Sequence, residues 1–232
     1  MRITFDAVRL SRPGFALTAD WSVASGASVA ILGPSGAGKS TLLSLLAGFE
    51  TPSSGWIKIG GQDVTDLHPA DRPVAMLFQD NNLFPHLTIT QNVGLGRNPA
   101  LRLTAADKAS VVEVLERVGL EGKADQRPSE LSGGQQSRAA LARALLRDRP
   151  ILLLDEPFSA LGPALRRDML DLVSEIRAEH QMTLLMVTHD PADAERIAEQ
   201  IAFVDGGLAS APAPTKALLA KPPPALAAYL GV

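Results

Sequence analysis

The chain has no cysteine in its 232 residues. Disulfide bridges, thiolate metal sites and thiol nucleophiles are therefore excluded. It also lacks any long apolar run. Stretches such as 151–154 (ILLL) and 184–187 (LLMV) are broken within a few residues, far short of the ~20 that a helix needs to cross a bilayer. A basic excess is missing too, since 22 Lys and Arg against 25 Asp and Glu leave a net charge of −3. Without that electrostatic footprint, nucleic acid is not expected as a partner. The opening residues, Met1-Arg-Ile-Thr-Phe-Asp6, put an acid where a signal peptide needs its apolar stretch, so no leader is expected. What is present, 46% hydrophobic and 20% charged residues, is ordinary for a globular chain, and the length is ample for a sizeable core.

Short apolar runs alternate with helical patterns, the signature of a parallel sheet covered by helices. Residues 28–32, 74–78, 151–154, 183–187 and 200–204 read as buried strands, and 41–47 as a helix. The first 26 residues and 56–59, before the Gly60-Gly61 turn, alternate differently and read as an antiparallel flank. Between Asp80 and Leu103 the pattern is irregular. A helix then opens at Thr104, with Asp107 as a short capping-box acid and Gly119 as its stop. No repeat of solenoid period is present.

Gly33-Pro34-Ser35-Gly36-Ala37-Gly38-Lys39-Ser40 fits G-x-x-x-x-G-K-[ST], directly after a strand and before a helix. Glycines let the backbone close on phosphate oxygens with its N–H groups, and the helix adds its positive end. Lys39 supplies charge to the outer phosphates, and the Ser40 hydroxyl is placed for Mg²⁺. A nucleotide is expected here, held by residues 33–40 and Thr41. Asp155 and Glu156 emerge together from the 151–154 run, at the strand end where open parallel sheets bind ligands. Asp155 suits a magnesium site, through water, and Glu156 the polarisation of an attacking water. Taken alone, such a pair is equally a solvated strand end. Gln79 and His189 follow two further strands. From spacing alone His189 reads as a phosphate-sensing donor or as a surface residue; His68, His86 and His180 read as surface or loop.

Leu131-Ser132-Gly133-Gly134-Gln135 opens a helix expected over 136–146, 20 residues before the acid-tipped strand. A Ser-Gly-Gly opening offers free N–H groups to an anion. One phosphate loop already serves the nucleotide, so a second anion site makes sense if it faces the nucleotide of another copy. With the phosphate loop upstream and the acid pair downstream, the chain resembles the ATP-binding subunits of ABC transporters over nearly its whole length.

That resemblance implies an α/β P-loop fold with an antiparallel β flank and an inserted helical subdomain. Residues 1–79 and 149–232 would form the catalytic core of a single domain, and 80–148 the helical, signature-bearing part. It implies a head-to-tail pair of copies, with ATP and Mg²⁺ between the phosphate loop of one and Ser132, Gly133, Gly134 and Gln135 of the other. Ser40, Gln79 and Asp155 would serve the magnesium, Glu156 would be the catalytic base and His189 the switch histidine. Further implied partners are transmembrane permease subunits and, indirectly, a periplasmic solute-binding protein, which places the chain peripherally on the cytoplasmic face of a bacterial inner membrane.

A finer similarity lies in Phe78-Gln-Asp-Asn-Asn-Leu-Phe-Pro-His-Leu-Thr88 and Gln91-Asn-Val-Gly-Leu-Gly96, which look like the thiamine-importing branch. Thiamine and its phosphates are the expected cargo; another small solute such as iron, sulfate or polyamine, or a weakly hydrolysing nucleotide-binding module, are the alternatives. Leu83 and Phe84 are candidates for permease contact or for packing of their own loop. The sequence departs from the family where Gly162 stands in place of the usual Asp, and where Gln136-Ser137 replaces a basic residue and Gln. No aromatic is obvious for stacking on adenine, for which Phe15 and Arg12 are both candidates.

Overall fold

In the computed structural model, which describes residues 1–159 and 161–231, the chain runs β1 (Ile3–Arg12), β2 (Phe15–Val23), β3 (Ser28–Leu32), α1 (Lys39–Ala47), β4 (Ser54–Ile59), β5 (Gln62–Asp63) and β6 (Val74–Leu77). Three helices follow: α2 (Ile89–Gly94), α3 (Ala105–Arg117) and α4 (Gly133–Leu146). The chain continues through β7 (Ile151–Asp155), α5 (Pro163–Glu179), β8 (Thr183–Val187), α6 (Pro191–Ile197) and β9 (Gln200–Asp205). It closes with β10 (Leu208–Ala209), β11 (Ala213–Pro214), α7 (Thr215–Ala220) and α8 (Pro224–Leu230).

The strands form one sheet in the order β5-β4-β1-β2-β10-β9-β3-β8-β7-β6, with β11 beside β9. The β9-β3-β8-β7-β6 portion is parallel, whereas β1, β2, β4 and β5 pair antiparallel. The parallel strands are near-continuous apolar runs because both faces are covered, with polar residues only at their ends, at Ser28, Asp155, Thr183, Gln200 and Asp205. Alternate residues of β7 go to opposite cores: Ile151 and Leu153 join the α1 side, Leu152 and Leu154 the side of α4, α5 and α6. β3 and β8 divide in the same way.

Helices α2, α3 and α4 share an apolar cluster of their own, built on Ile89, Val93, Val111, Leu115, Leu131 and Ala139. Thr104 opens α3 with the expected capping box to Asp107. Several local expectations shift. The stretch expected to be irregular contains α2, whose first turn is fixed by a capping box between Thr88 and Gln91. Helix α4 starts at Gly133 rather than 136, because Ser132 is its cap and Gln135 closes the box back onto the Ser132 N–H, drawing both glycines into the first turn. Strand β6 stops at Leu77, while β7 and β9 each run one residue further than expected, to Asp155 and Asp205.

Candidate functional site

Across the C-terminal edge of the parallel strands, four segments stand side by side in the order β3, β8, β7, β6. Register fixes their level: Ile31 pairs with Val187, Val187 with Asp155, and Leu154 with Leu77. The turn after β3, His189 after β8, Glu156 after β7 and Gln79 after β6 therefore share one edge. Gln79 is exposed there and makes no side-chain hydrogen bond among the described residues.

The turn after β3 requires glycine by two separate mechanisms. At Gly33, with φ 153°, an added Cβ would collide with the Val204 carbonyl of β9. At Gly38, which caps α1 at φ 107°, it would meet the Phe15 ring at 3.0 Å. Gly33→Ala is expected to destabilise the fold by about 1–3 kcal/mol and to weaken nucleotide binding, measurable by chemical denaturation and by titration with ATP. Lys39 is buried, and its ammonium donates to the carbonyls of Gly33 at 2.9 Å and Pro34 at 2.8 Å. Burial lowers its pKa, opposed by the negative charges of Glu156 and Asp155. Pro34, Ser35 and Gly36 are exposed, and Ala37 and Thr41 are half-buried around them.

Ser40 Oγ donates to Asp155 Oδ1 at 2.9 Å, which joins the phosphate-loop helix to the tip of β7. Burial raises the Asp155 pKa; the Ser40 hydrogen bond opposes this, Glu156 adds to it and Lys39 offsets it. Among the described residues no group of three or more His, Cys, Asp or Glu side chains could hold a metal. Ser40 and Asp155 supply two oxygen donors suited to Mg²⁺, which takes one or two protein ligands together with phosphates.

Glu156 has φ 44°, a left-handed conformation uncommon for a residue with a side chain. Its N–H donates to the Val187 carbonyl at 3.1 Å, and its own carbonyl accepts from Ser159 Oγ at 3.1 Å. This strained geometry brings the carboxylate to His189, with Glu156 Oε2 3.0 Å from Nδ1. His189 is itself held from behind. Tyr229 of α8 donates its hydroxyl to the His189 carbonyl at 3.0 Å, and Arg166 of α5 bonds Asp193, which also accepts from Thr188 Oγ1 at 3.2 Å.

Sequence reasoning found Glu156 and His189 as strand-end residues but not this pairing, and it missed Tyr229, Arg166 and Asp193 altogether. It also missed Asn92, fully buried on α2, whose amide accepts from the Phe84 N–H at 2.7 Å and donates to the carbonyls of Phe84, Leu87 and Thr88. Arg12 is engaged in an ion pair with Glu50. Phe15, half-buried against the phosphate loop, lines a cleft of about 400 Å³ with Gly14, Ser35 and Gly36.

Ser132 and Gly133 are exposed, at a distinct surface formed by the start of α4, with Gln135 half-buried and Gly134 buried. Gly134 is packed so closely on Leu165 of α5 that a side chain there would clash. Gly162 caps α5 at φ −63° and ψ 156°, with no side-chain hydrogen bond and open space where a Cβ would go. Nothing in that conformation requires glycine. Gly162→Asp is expected to stabilise the chain by about 0.5–1 kcal/mol, through a helix cap and a stiffer unfolded state, read as a higher urea midpoint at unchanged slope.

Comparison with known proteins gives a consistent answer. The family model described as ABC transporter matches residues 17–159. The thiamine import ATP-binding protein ThiQ of Cereibacter sphaeroides is 59% identical over 97% of this chain and 98% of its own length. That of Chelativorans sp. is 54% identical over 99% of this chain and 94% of its own. Among solved structures, the dimeric ATP-binding cassette MJ0796 in a post-hydrolysis state, bound to ADP and Pi, matches 92% of this chain and 98% of its own with a TM-score of 0.81 at 29% identity. Likeness that runs nearly end to end, on a backbone shared with a solved cassette, places this chain in the ABC transporter family as an ATP-binding subunit.

Proposed function

We propose that the chain hydrolyses ATP to power a bacterial importer of thiamine. The observation that carries the cargo is the near-complete match, at 54–59% identity, to relatives named for thiamine import. The geometry at the strand ends supports the chemistry.

In this reading residues 33–41 wrap the phosphates of ATP, with Lys39 exchanging the carbonyls of Gly33 and Pro34 for phosphate oxygens. Phe15, already against the loop, stacks on adenine, because Arg12 is committed to Glu50. Ser40, Gln79 and Asp155 hold Mg²⁺, Asp155 through water. The ion, when bound, neutralises charge that develops on the phosphates. Glu156 accepts the proton of the attacking water. His189 orients the Glu156 carboxylate from Nδ1 and contacts the outer phosphate. A neutral imidazole that donates from Nδ1 leaves Nε2 an acceptor, so contact with the phosphate from Nε2 needs the ring protonated or turned.

Two copies close head to tail, with Ser132, Gly133, Gly134 and Gln135 of one completing the ATP site of the other. Residues 80–148 serve as the helical, signature-bearing part of a single domain. The permease docks beside them, in a groove of about 480 Å³ lined by Phe49, Met76, Phe78, Leu95 and Arg147. Phe84, exposed at its edge of the 79–88 loop, contributes to that contact, whereas Leu83 packs inward between the α4–α5 and α2–α3 cores. A periplasmic binding protein acts only through the permease, and the chain works peripherally at the cytoplasmic face of the inner membrane. No helix of the described residues is long and apolar enough to cross a membrane.

Uptake of labelled thiamine by cells with and without this gene tests the cargo. Loss of thiamine uptake, with iron, sulfate and polyamine uptake unchanged, is the expected result. Unchanged thiamine uptake with loss of one of the others would reassign the cargo.

A further inference from the structure

The loop that carries Gln79 leaves the core at β6 and reaches α2 only at Thr88. Its main chain is unusual at two consecutive residues, Asn81 at φ 57° and Asn82 at φ 48°. Asparagine tolerates the left-handed region better than most residues, which accounts for the pair. Two left-handed residues in a row turn both carbonyls the same way, and one side chain collects them. Arg143 of α4 donates from Nη2 to the Asn81 carbonyl and from Nη1 to the Asn82 carbonyl, each at 2.7 Å.

These bonds span 61 and 62 residues of sequence. Arg143 has no carboxylate within ion-pair distance among the described residues, and burial lowers its pKa. A half-buried guanidinium without an acid, spent on two backbone carbonyls, costs more to bury than one in an ion pair. Asn81 contributes no hydrogen bond from its own buried Oδ1. Local turns bond the N–H groups of Asn81 and Asn82 to the Phe78 and Asp80 carbonyls, but the tie from this segment to α4 is made by Arg143, while Asn92 fixes the segment after it through Phe84, Leu87 and Thr88.

Arg143 stands in the last turn of the helix that Ser132 opens. We propose that Arg143 is a positioning residue that fastens the Gln79 segment to α4, so that the Gln79 end of one ATP site and the Ser132–Gln135 surface offered to the partner's site move as one body. The inference rests on the roles given above to Gln79 and to the Ser132 surface. Displacing α4 then displaces Gln79, and loosening the clamp leaves Gln79 unplaced while the phosphate loop still binds ATP.

The test is a double-mutant cycle of steady-state ATP hydrolysis, measured on the chain with its permease, using Arg143→Lys, Gln79→Ala and both together. Lysine keeps the charge and stem but cannot bridge two carbonyls as a planar fork does. Arg143→Lys is expected to lower kcat roughly ten- to a hundredfold with KM for ATP within about twofold, and the double variant to be no slower than Gln79→Ala alone. Wild-type kcat in Arg143→Lys beside an impaired Gln79→Ala would overturn the proposal. So would losses that simply multiply in the double variant. Wild-type kcat in Gln79→Ala would overturn the role of Gln79 itself, and is read from that variant alone. Should Arg143→Lys fail to fold, the Asn81→Ala/Asn82→Ala pair, which disfavours the left-handed backbone that turns both carbonyls toward Arg143 and leaves α4 unchanged, takes its place in the same cycle with the same expected outcomes.

Discussion

Glu156→Gln is expected to lower steady-state ATP hydrolysis by about 10²–10⁴-fold, the usual contribution of a positioned general base, while ATP binding persists. The glutamine is isosteric and keeps an oxygen for His189 Nδ1, and the backbone bonds that hold residue 156 do not involve its side chain. The substitution removes the capacity to take a proton and the negative charge felt by Lys39 and Asp155, and keeps the shape. Because closure of two copies precedes hydrolysis, the variant should accumulate as an ATP-bound dimer, seen as a doubled mass by light scattering when ATP is added. Normal turnover would remove Glu156 from the mechanism. The left-handed backbone at 156 makes a second outcome readable. Such a conformation costs about 1–3 kcal/mol and persists only where its surroundings impose it, so Glu156→Gly should raise stability while still abolishing turnover.

The largest effect on stability is expected at Arg72. This side chain is only 1% exposed, and it donates to the carbonyls of Leu45, Leu46, Thr65 and Leu67. Leu45 and Leu46 belong to the last turn of α1, where helices leave carbonyls short of partners, although that of Leu45 also accepts from the Gly48 N–H at 3.3 Å. Arg72 thus closes the C-terminal end of the helix whose N-terminal end carries Lys39 and Ser40. Burial lowers its pKa, partly offset by Asp66 and Asp63. Arg72→Met takes a donor from four carbonyls, of which that of Leu45 keeps the Gly48 N–H, and is expected to cost about 3–5 kcal/mol, measured by urea unfolding. A loss below about 1 kcal/mol would show that water replaces the guanidinium there. Gly48 stands so close to Arg72 Nε, 2.5 Å from where its Cβ would be, that Gly48→Ala should reproduce part of the loss.

Those four carbonyls mark the boundary of what the sequence discloses. The phosphate loop was legible because glycine spacing and a Lys-Ser pair are local chemistry. Strands β3, β7 and β8 were legible because a strand covered on both faces is a near-continuous apolar run. Their common edge was legible too, since residues just after parallel strands gather there. Helix α2 escaped because six residues show no period, although Thr88 and Gln91 stand at capping-box spacing. The start of α4 is legible only to within three residues, because its capping box lies inside the Ser132–Gln135 signature, whose two glycines disfavour a first helical turn. Arg72, Arg143 and Tyr229 escaped for a shared reason. Each spends its side chain on backbone carbonyls distant in sequence, and a carbonyl carries no residue identity. The choice proposed between Arg12 and Phe15 likewise rests on Glu50, a partner that no spacing rule selects.

In the mechanism proposed above, hydrolysis beside Glu156 drives entry of thiamine. It is tested most directly by uptake of labelled thiamine into vesicles that contain the permease, the solute-binding protein and this chain, with ATP supplied on the chain's side. Uptake that requires ATP and is lost with Glu156→Gln is the result expected. Thiamine uptake that proceeds equally with Glu156→Gln, or without ATP, would contradict it.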